Sequence, residues 1–227
     1  MVHPNLAYLL GKTQASVGAY FEGGTAVALT TSPPGTPLRQ AVDAELARQA
    51  QAHPLLKRDL ARVAAVLRTW NQPPLCEPRL PNEYADWNQH VSQQVRSVLA
   101  DAPIASAYYL LGYVVGDLIS NLQVAEVVLR LLVNVPGDRL LLGNLARLAQ
   151  ASDRCRSQLI QLSQSPAFAA PVQAELVGLA NCMEKVPLTD SGKPSPPPAE
   201  QLSRLQRNRQ ELVACVEKLD EARDRVS

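Results

Sequence analysis

Apolar side chains return every three to four positions in segment after segment, and this spacing constrains the fold more than any motif does. Leu56, Leu60, Val63, Leu67 and Trp70 stand at i, i+4, i+7, i+11 and i+14, a single stripe on a helix of 3.6 residues per turn. Tyr84, Trp87, Val91, Val95 and Val98 repeat the pattern, as do Phe168, Val172, Leu176, Leu179 and Met183. Strands would alternate with period two, and no set of evenly spaced alternating segments occurs. Each stripe must be buried against another, so the expected fold class is all-α, a multi-helix bundle of about 7–9 helices. Aromatic residues make up only 4% of the chain, so the core has to be built from Leu, Val and Ala.

Proline and glycine mark the expected boundaries. Pro4 opens a helix that Gly23-Gly24 closes at about residue 21. Thr25–Thr31 is β-branched and reads as a short strand or an irregular segment. Thr36-Pro37 opens a helix to about Ala52, and Pro54 opens the next. Four prolines make 71–81 a loop. Further helices are expected over 82–98, 103–133, 138–164, from Pro166 to Met183, and over 200–226.

Residues 187–199, Pro-Leu-Thr-Asp-Ser-Gly-Lys-Pro-Ser-Pro-Pro-Pro-Ala, have the composition of a linker and reach roughly 30 Å when extended. The expected organisation is a helical bundle domain over 1–186, a Pro-rich linker over 187–199, and a C-terminal amphipathic helix over 200–227.

A short string occurs twice. Tyr8-Leu9-Leu10-Gly11 returns as Tyr109-Leu110-Leu111-Gly112, and a small residue, Ala15 or Gly116, follows each glycine by four positions. Two small residues one turn apart let a neighbouring backbone approach closely. The repeat admits two related helical halves about a pseudo-twofold axis, or a chance likeness between Leu-rich helices.

Ile104–Val133 is the longest apolar segment, but Asp117 ends its uncharged run well short of the ~20 residues a membrane span needs. No membrane insertion is expected; a central helix buried by its neighbours is. Asp117 then needs a partner, and Asn121, four residues on, is placed to supply one. With Tyr109 and Tyr113 on the preceding turns, these residues make a candidate ligand-binding set: Tyr109, Tyr113, Asp117 and Asn121. Glu126 and Arg130 read as a helix ion pair.

Signals for chemistry are sparse. There is no Gly-x-Ser-x-Gly, no Gly-x-Gly-x-x-Gly and no phosphate loop, so no catalytic residue is assigned. His3, His53 and His90 lack a second ligand at helical spacing, and Cys76, Cys155, Cys182 and Cys215 form no Cys-x-x-Cys pair. Neither metal nor cofactor is expected. The formal net charge of +1, with small arginine clusters offset by acidic neighbours, points away from nucleic acid. Few cysteines and no basic-then-apolar leader at Met1-Val2-His3-Pro4-Asn5 lead to the expectation of a cytoplasmic protein with free thiols.

The tail is the most informative stretch. Leu205, Leu212, Leu219 and Val226 are spaced by seven, with Leu202 and Val216 at companion positions and Arg209 and Arg223 interrupting the seam. Such a helix needs a surface to pack on: its own bundle, the same helix of a second copy, or another protein. The functional expectation is a non-enzymatic helical interaction protein, such as a scaffold, adaptor or assembly factor. It would meet a protein partner, or itself, through Leu202, Leu205, Leu212, Val216, Leu219 and Val226. The alternative is a small-molecule-binding or sensory bundle with its pocket near Asp117.

Overall fold

The computed structural model of the protein describes residues 2–31, 37, 40, 44, 54–73, 75, 81–185, 188 and 196–226. Most of the helix expected over 36–52, the loop residues 76–80 and most of the 187–199 linker lie outside the described residues. Those described form seven helices and no strand: α1 (Pro4–Thr31), α2 (Pro54–Thr69), α3 (Pro81–Leu99), α4 (Pro103–Asn134), α5 (Arg139–Ser163), α6 (Ala170–Glu184) and α7 (Pro198–Arg225). The all-α multi-helix architecture follows the apolar periodicity.

Two boundaries differ from those expected. α1 runs through Gly23-Gly24 to Thr31, so the segment 25–31 is neither strand nor irregular. Glycine costs a helix about 1 kcal/mol relative to alanine, but it ends one only when it turns left-handed. α6 starts at Ala170 and not at Pro166, which lies in a turn. Pro171 occupies the first turn of α6, where its missing N–H has no helical partner to lose. Phe168 is still buried, from the turn that precedes the helix. Asp138 begins α5 as expected: its carboxylate accepts from the backbone N–H of Leu140 at 2.9 Å and of Leu141 at 3.0 Å.

The chain divides into two compact units, Met1–Gly116 and Asp117–Ser227. The division falls within α4. In the first unit α1 packs against α2 and α3. The core there holds Leu10 and Val17 of α1, Val63 and Leu67 of α2, Val91 and Val95 of α3, and Leu111 and Val115 of α4. In the second unit α6 packs against both α5 and α7. Its core holds Leu118 and Leu129 of α4, Leu148 and Leu159 of α5, Leu176 and Leu179 of α6, and Leu212 and Leu219 of α7. Buried positions cover a broad face of α4. Among the described residues no helix is long and apolar enough to cross a membrane.

Both copies of Tyr-Leu-Leu-Gly lie in the first unit, where they face each other. A methyl group added at Gly11 would collide with the Tyr109 carbonyl oxygen and come within 2.7 Å of the Tyr113 nitrogen. One added at Gly112 would collide with the Tyr8 carbonyl oxygen and come within 3.0 Å of the Lys12 nitrogen. Tyr8 corresponds to Tyr109 in the repeat, and Lys12 to Tyr113, so the contact is reciprocal. One turn on, a methyl at Gly116 would stand 2.9 Å from the Ala15 Cβ. The repeated string is thus a device that brings two helix backbones into direct contact, with the Cα–H of each glycine against a carbonyl of the other helix.

Substitution tests this crossing. Gly11→Ala and Gly112→Ala should each destabilise the protein by about 2 kcal/mol or more, because helix backbone has to move to make room. Gly143, in α5, has nothing within 4 Å of an added methyl. Gly143→Ala should therefore stabilise by up to about 1 kcal/mol through helix propensity alone. Urea unfolding of the three variants checks the opposite signs.

Candidate functional site

The C-terminal helix was the first candidate, and the structure places its seam inside the second unit. Leu205, Leu212, Val216 and Leu219 are buried, Leu202 is half-buried, and Val226 is exposed at the helix end. α7 lies along α6, with Asn208 Nδ2 donating to the Lys185 carbonyl at 2.6 Å and Lys185 paired with Glu211. The two interrupting arginines reach carboxylates. Arg209 Nη1 lies 2.8 Å from Glu126 Oε2 on α4, and Arg223 Nη2 lies 2.9 Å from Asp224 Oδ1. Of the three surfaces open to the tail, its own unit covers the seam here. The outer face of α7, from Gln206 to Glu217, borders a shallow open depression of about 420 Å³, lined by Gln206, Arg209, Gln210, Val213, Ala214 and Glu217 and more apolar than polar in surface.

Glu126 is the polar anchor of this arrangement. Its carboxylate is nearly buried and receives Arg130 Nη2 at 2.5 Å, Gln206 Nε2 at 3.2 Å and Arg209. Burial on its own would raise the acid. The hydrogen bond from Gln206, then the hydrogen bond and charge of Arg130 and the charge of Arg209, outweigh it and hold Glu126 below its ordinary value. The helix ion pair read from the sequence is therefore one edge of a larger cluster that also fixes α7.

The second candidate set lies along α4 and is divided by the boundary between the two units. Tyr109 and Tyr113 belong to the first unit, and Asp117 and Asn121 to the second. Tyr109 donates its hydroxyl to Gln14 Oε1 at 2.7 Å, and its ring centroid lies 6.5 Å from that of Tyr113. Gln14, fully buried on α1, donates in turn to Asn88 Oδ1 at 2.6 Å and Ser92 Oγ at 3.1 Å on α3. Burial pushes the Tyr109 phenol up to about 12, against the lowering effect of Ser92. This network links α1, α3 and α4 through satisfied neutral groups, which suits a specifier of helix register. Gln14 was missed from sequence. Its signal was there: it stands four residues after Leu10 and three before Val17, on the face that is otherwise core.

Asp117 finds a different partner from the one expected. Its Oδ2 accepts from the Cys155 thiol of α5 at 3.3 Å, and burial followed by the Asp117 charge raises that thiol well above its ordinary value. Asn121 Nδ2 is left buried without a hydrogen-bond partner, and so is Ser152 Oγ, one turn before Cys155. α4 and α5 are joined by the short turn at 135–138, so they run antiparallel, and the Asp117–Cys155 contact sets their register. By helix spacing Asn121 and Ser152 then stand at the same level. Among the described residues no group of three or more His, Cys, Asp or Glu side chains is arranged to hold a metal ion.

The remaining distinctive surface is apolar. At the α4–α5 turn Val133, Val135 and Leu140 are exposed, Val135 by 54% and Leu140 by 60%, and Val127 and Leu142 lie near them in sequence on the two helices. Val127, Leu131 and Val135 fall at i, i+4 and i+8, on one stripe. Gly137, at φ +93°, makes the turn, and the exposed Arg130 and Arg139 flank it. Comparison with protein-family models, with characterised proteins and with solved structures found no match to this chain.

The clamp on α7 has a pH signature. A carboxylate held below its unfolded value contributes stability that is complete above that value, ordinarily 4.5, and is lost as pH falls through the folded value. Glu126→Gln should cost about 1–3 kcal/mol at neutral pH, as expected for lost charged hydrogen bonds. It should also shrink the fall in thermal midpoint between about pH 6 and pH 3 relative to the parent protein. Calorimetry across that range checks both.

Proposed function

We propose that the protein works by helix-mediated contact with another protein, and that the α4–α5 turn is its docking face. The observation that supports this reading is the exposure of Val133, Val135 and Leu140 together on one short hairpin tip, continued along α4 by Val127. Isolated exposed apolar residues are ordinary, but a cluster of large ones at a turn is a common mark of an interaction site. Arg130 already answers Glu126, while Arg139 adds a positive charge beside Leu140. A fitting partner presents an apolar helix face with an acidic rim.

A photo-reactive amino acid placed at Val135, and separately at Leu140, tests the proposal in cells that express the protein. Both positions should crosslink one and the same protein. A third placement at the exposed Gln158 of α5 should not. Val133→Asp combined with Leu140→Asp should abolish the crosslink from Val135 and leave the thermal midpoint within about 2 °C, since surface changes rarely exceed 0.5 kcal/mol. Equal labelling from all three positions, or labelling that survives the double substitution, would remove this reading.

One observation favours a second reading, a small polar ligand held in the second unit. Asn121 Nδ2 and Ser152 Oγ are buried polar atoms without a protein partner, beside the Asp117–Cys155 pair. Asn121→Leu distinguishes a ligand from an idle group. If nothing binds there, removing the orphaned amide should stabilise the protein by about 1 kcal/mol. If the cell-purified protein carries a ligand on these atoms, the same substitution should lower its thermal midpoint, and native mass spectrometry should show the loss of a bound mass.

A further inference from the structure

Two of the four cysteines meet. Cys182 on α6 and Cys215 on α7 are both reduced and half-exposed, on adjoining helices, and lie close enough for the two thiols to influence each other. Their meeting is fixed by the packing around them. One turn along each helix, Lys185 of α6 is paired with Glu211 of α7, and Asn208 of α7 holds the Lys185 carbonyl. On the inner side Leu179 and Met183 of α6, and Leu212 and Val216 of α7, are buried. A polar clamp and an apolar seam thus set one register, and that register puts sulfur beside sulfur. Cys155 is the contrast: buried, with its thiol committed to Asp117.

We propose that Cys182 and Cys215 form a reversible redox latch, a disulfide that fastens α7 to α6. The inference is independent of the docking face at the α4–α5 turn. A disulfide needs an S–S bond of about 2.05 Å and Cβ atoms about 3.8 Å apart, an approach that half-exposed side chains on neighbouring helices make by changing χ1. The oxidant is a low-molecular-weight disulfide of the glutathione type. The Cys182 thiolate, having given its proton to water, attacks one sulfur of that disulfide. A mixed disulfide forms and one small thiolate leaves. Cys215 then loses its proton and attacks the Cys182 sulfur, expelling the second small thiolate. Two electrons pass from the protein to the reagent, and the two protons released from the cysteines end on the two small thiols. Burial and the neighbouring Cys182 push the Cys215 thiol up to about 11, which suits the partner that reacts second. The Lys218 charge works the other way and favours the Cys215 thiolate, while Glu211 opposes it.

The test uses the full-length protein equilibrated with glutathione buffers of increasing oxidised fraction, quenched with an alkylating agent and mapped by mass spectrometry without reduction. A Cys182–Cys215 linked peptide should appear, two hydrogens lighter than the reduced pair, at oxidised fractions that leave Cys155 alkylated or free. The linked protein should melt about 5–10 °C higher than the reduced protein. Its α7 amides should exchange at least several-fold more slowly. Cys182→Ser and Cys215→Ser should each abolish these gains while keeping the reduced protein's midpoint. Glutathione adducts at both sites without a linked peptide would overturn the latch. So would a linked peptide that leaves α7 exchange unchanged, since the bond would then fasten nothing.

Discussion

In the first unit everything else depends on how closely α1 and α4 approach. Gly11 and Gly112 each meet a carbonyl of the opposite helix, so there is no side-chain layer between the backbones at the crossing. That proximity is what lets Gln14, one turn from Gly11, receive the Tyr109 hydroxyl three residues before Gly112. At a spacing set by leucines, about 8–10 Å between axes, the same two side chains would project past one another. A fully buried glutamine is costly unless its donors and acceptor are met. Here the crossing makes the pairing with Tyr109 available, and Asn88 and Ser92 of α3 complete it. The close contact and the polar network therefore support each other.

The second unit is organised differently, around a helix that arrives last in the sequence. Its seam of Leu205, Leu212, Val216 and Leu219 is spaced for a coiled-coil partner, and α6 supplies a matching face in Leu176, Leu179 and Met183. The arginines that break the seam behave differently. Arg209 lies across to Glu126 with its side chain half-exposed, whereas Arg223 is itself buried and reaches Asp220 and Asp224 of its own helix. Without Arg209 and Gln206, Glu126 would be a nearly buried acid answered by Arg130 alone. The docking of α7 thus satisfies a charge on α4 as well as an apolar stripe on α6.

How much of this was legible in the sequence depends on the range of the interaction. Helices came through clearly because each stripe is a local pattern: Leu60, Val63, Leu67 and Trp70 are all buried, as their spacing requires. The start of α5 was readable because the Asp138 cap involves only its own next residues. Where a residue had two local meanings, reading failed. Gly23-Gly24 serves equally as a stop or as a helical pair, and Pro166 competes with Pro171 for the same first turn. Tertiary partners were out of reach for a more basic reason. Asn121 is the nearest candidate for Asp117 along the chain, but the register of α4 on α5 delivers Cys155 instead. The tyrosine–glycine repeat was visible as a string and as a close-approach signal, yet nothing local says that its two copies face each other.

The same distinction bears on which groups are free to act. Gln14, Tyr109 and Glu126 are deeply placed and fully answered, so changing them removes support for the fold before it touches any activity. The groups with capacity to spare are fewer. Asn121 and Ser152 keep unpaired polar atoms inside the second unit. Val135 and Leu140 keep apolar surface in water. Cys182 and Cys215 are free thiols on adjoining helices. These three features draw on different physics: an unmet hydrogen bond, unburied area and an unformed covalent link. Function is more economically sought in such unspent capacity than in the residues that already hold the helices together.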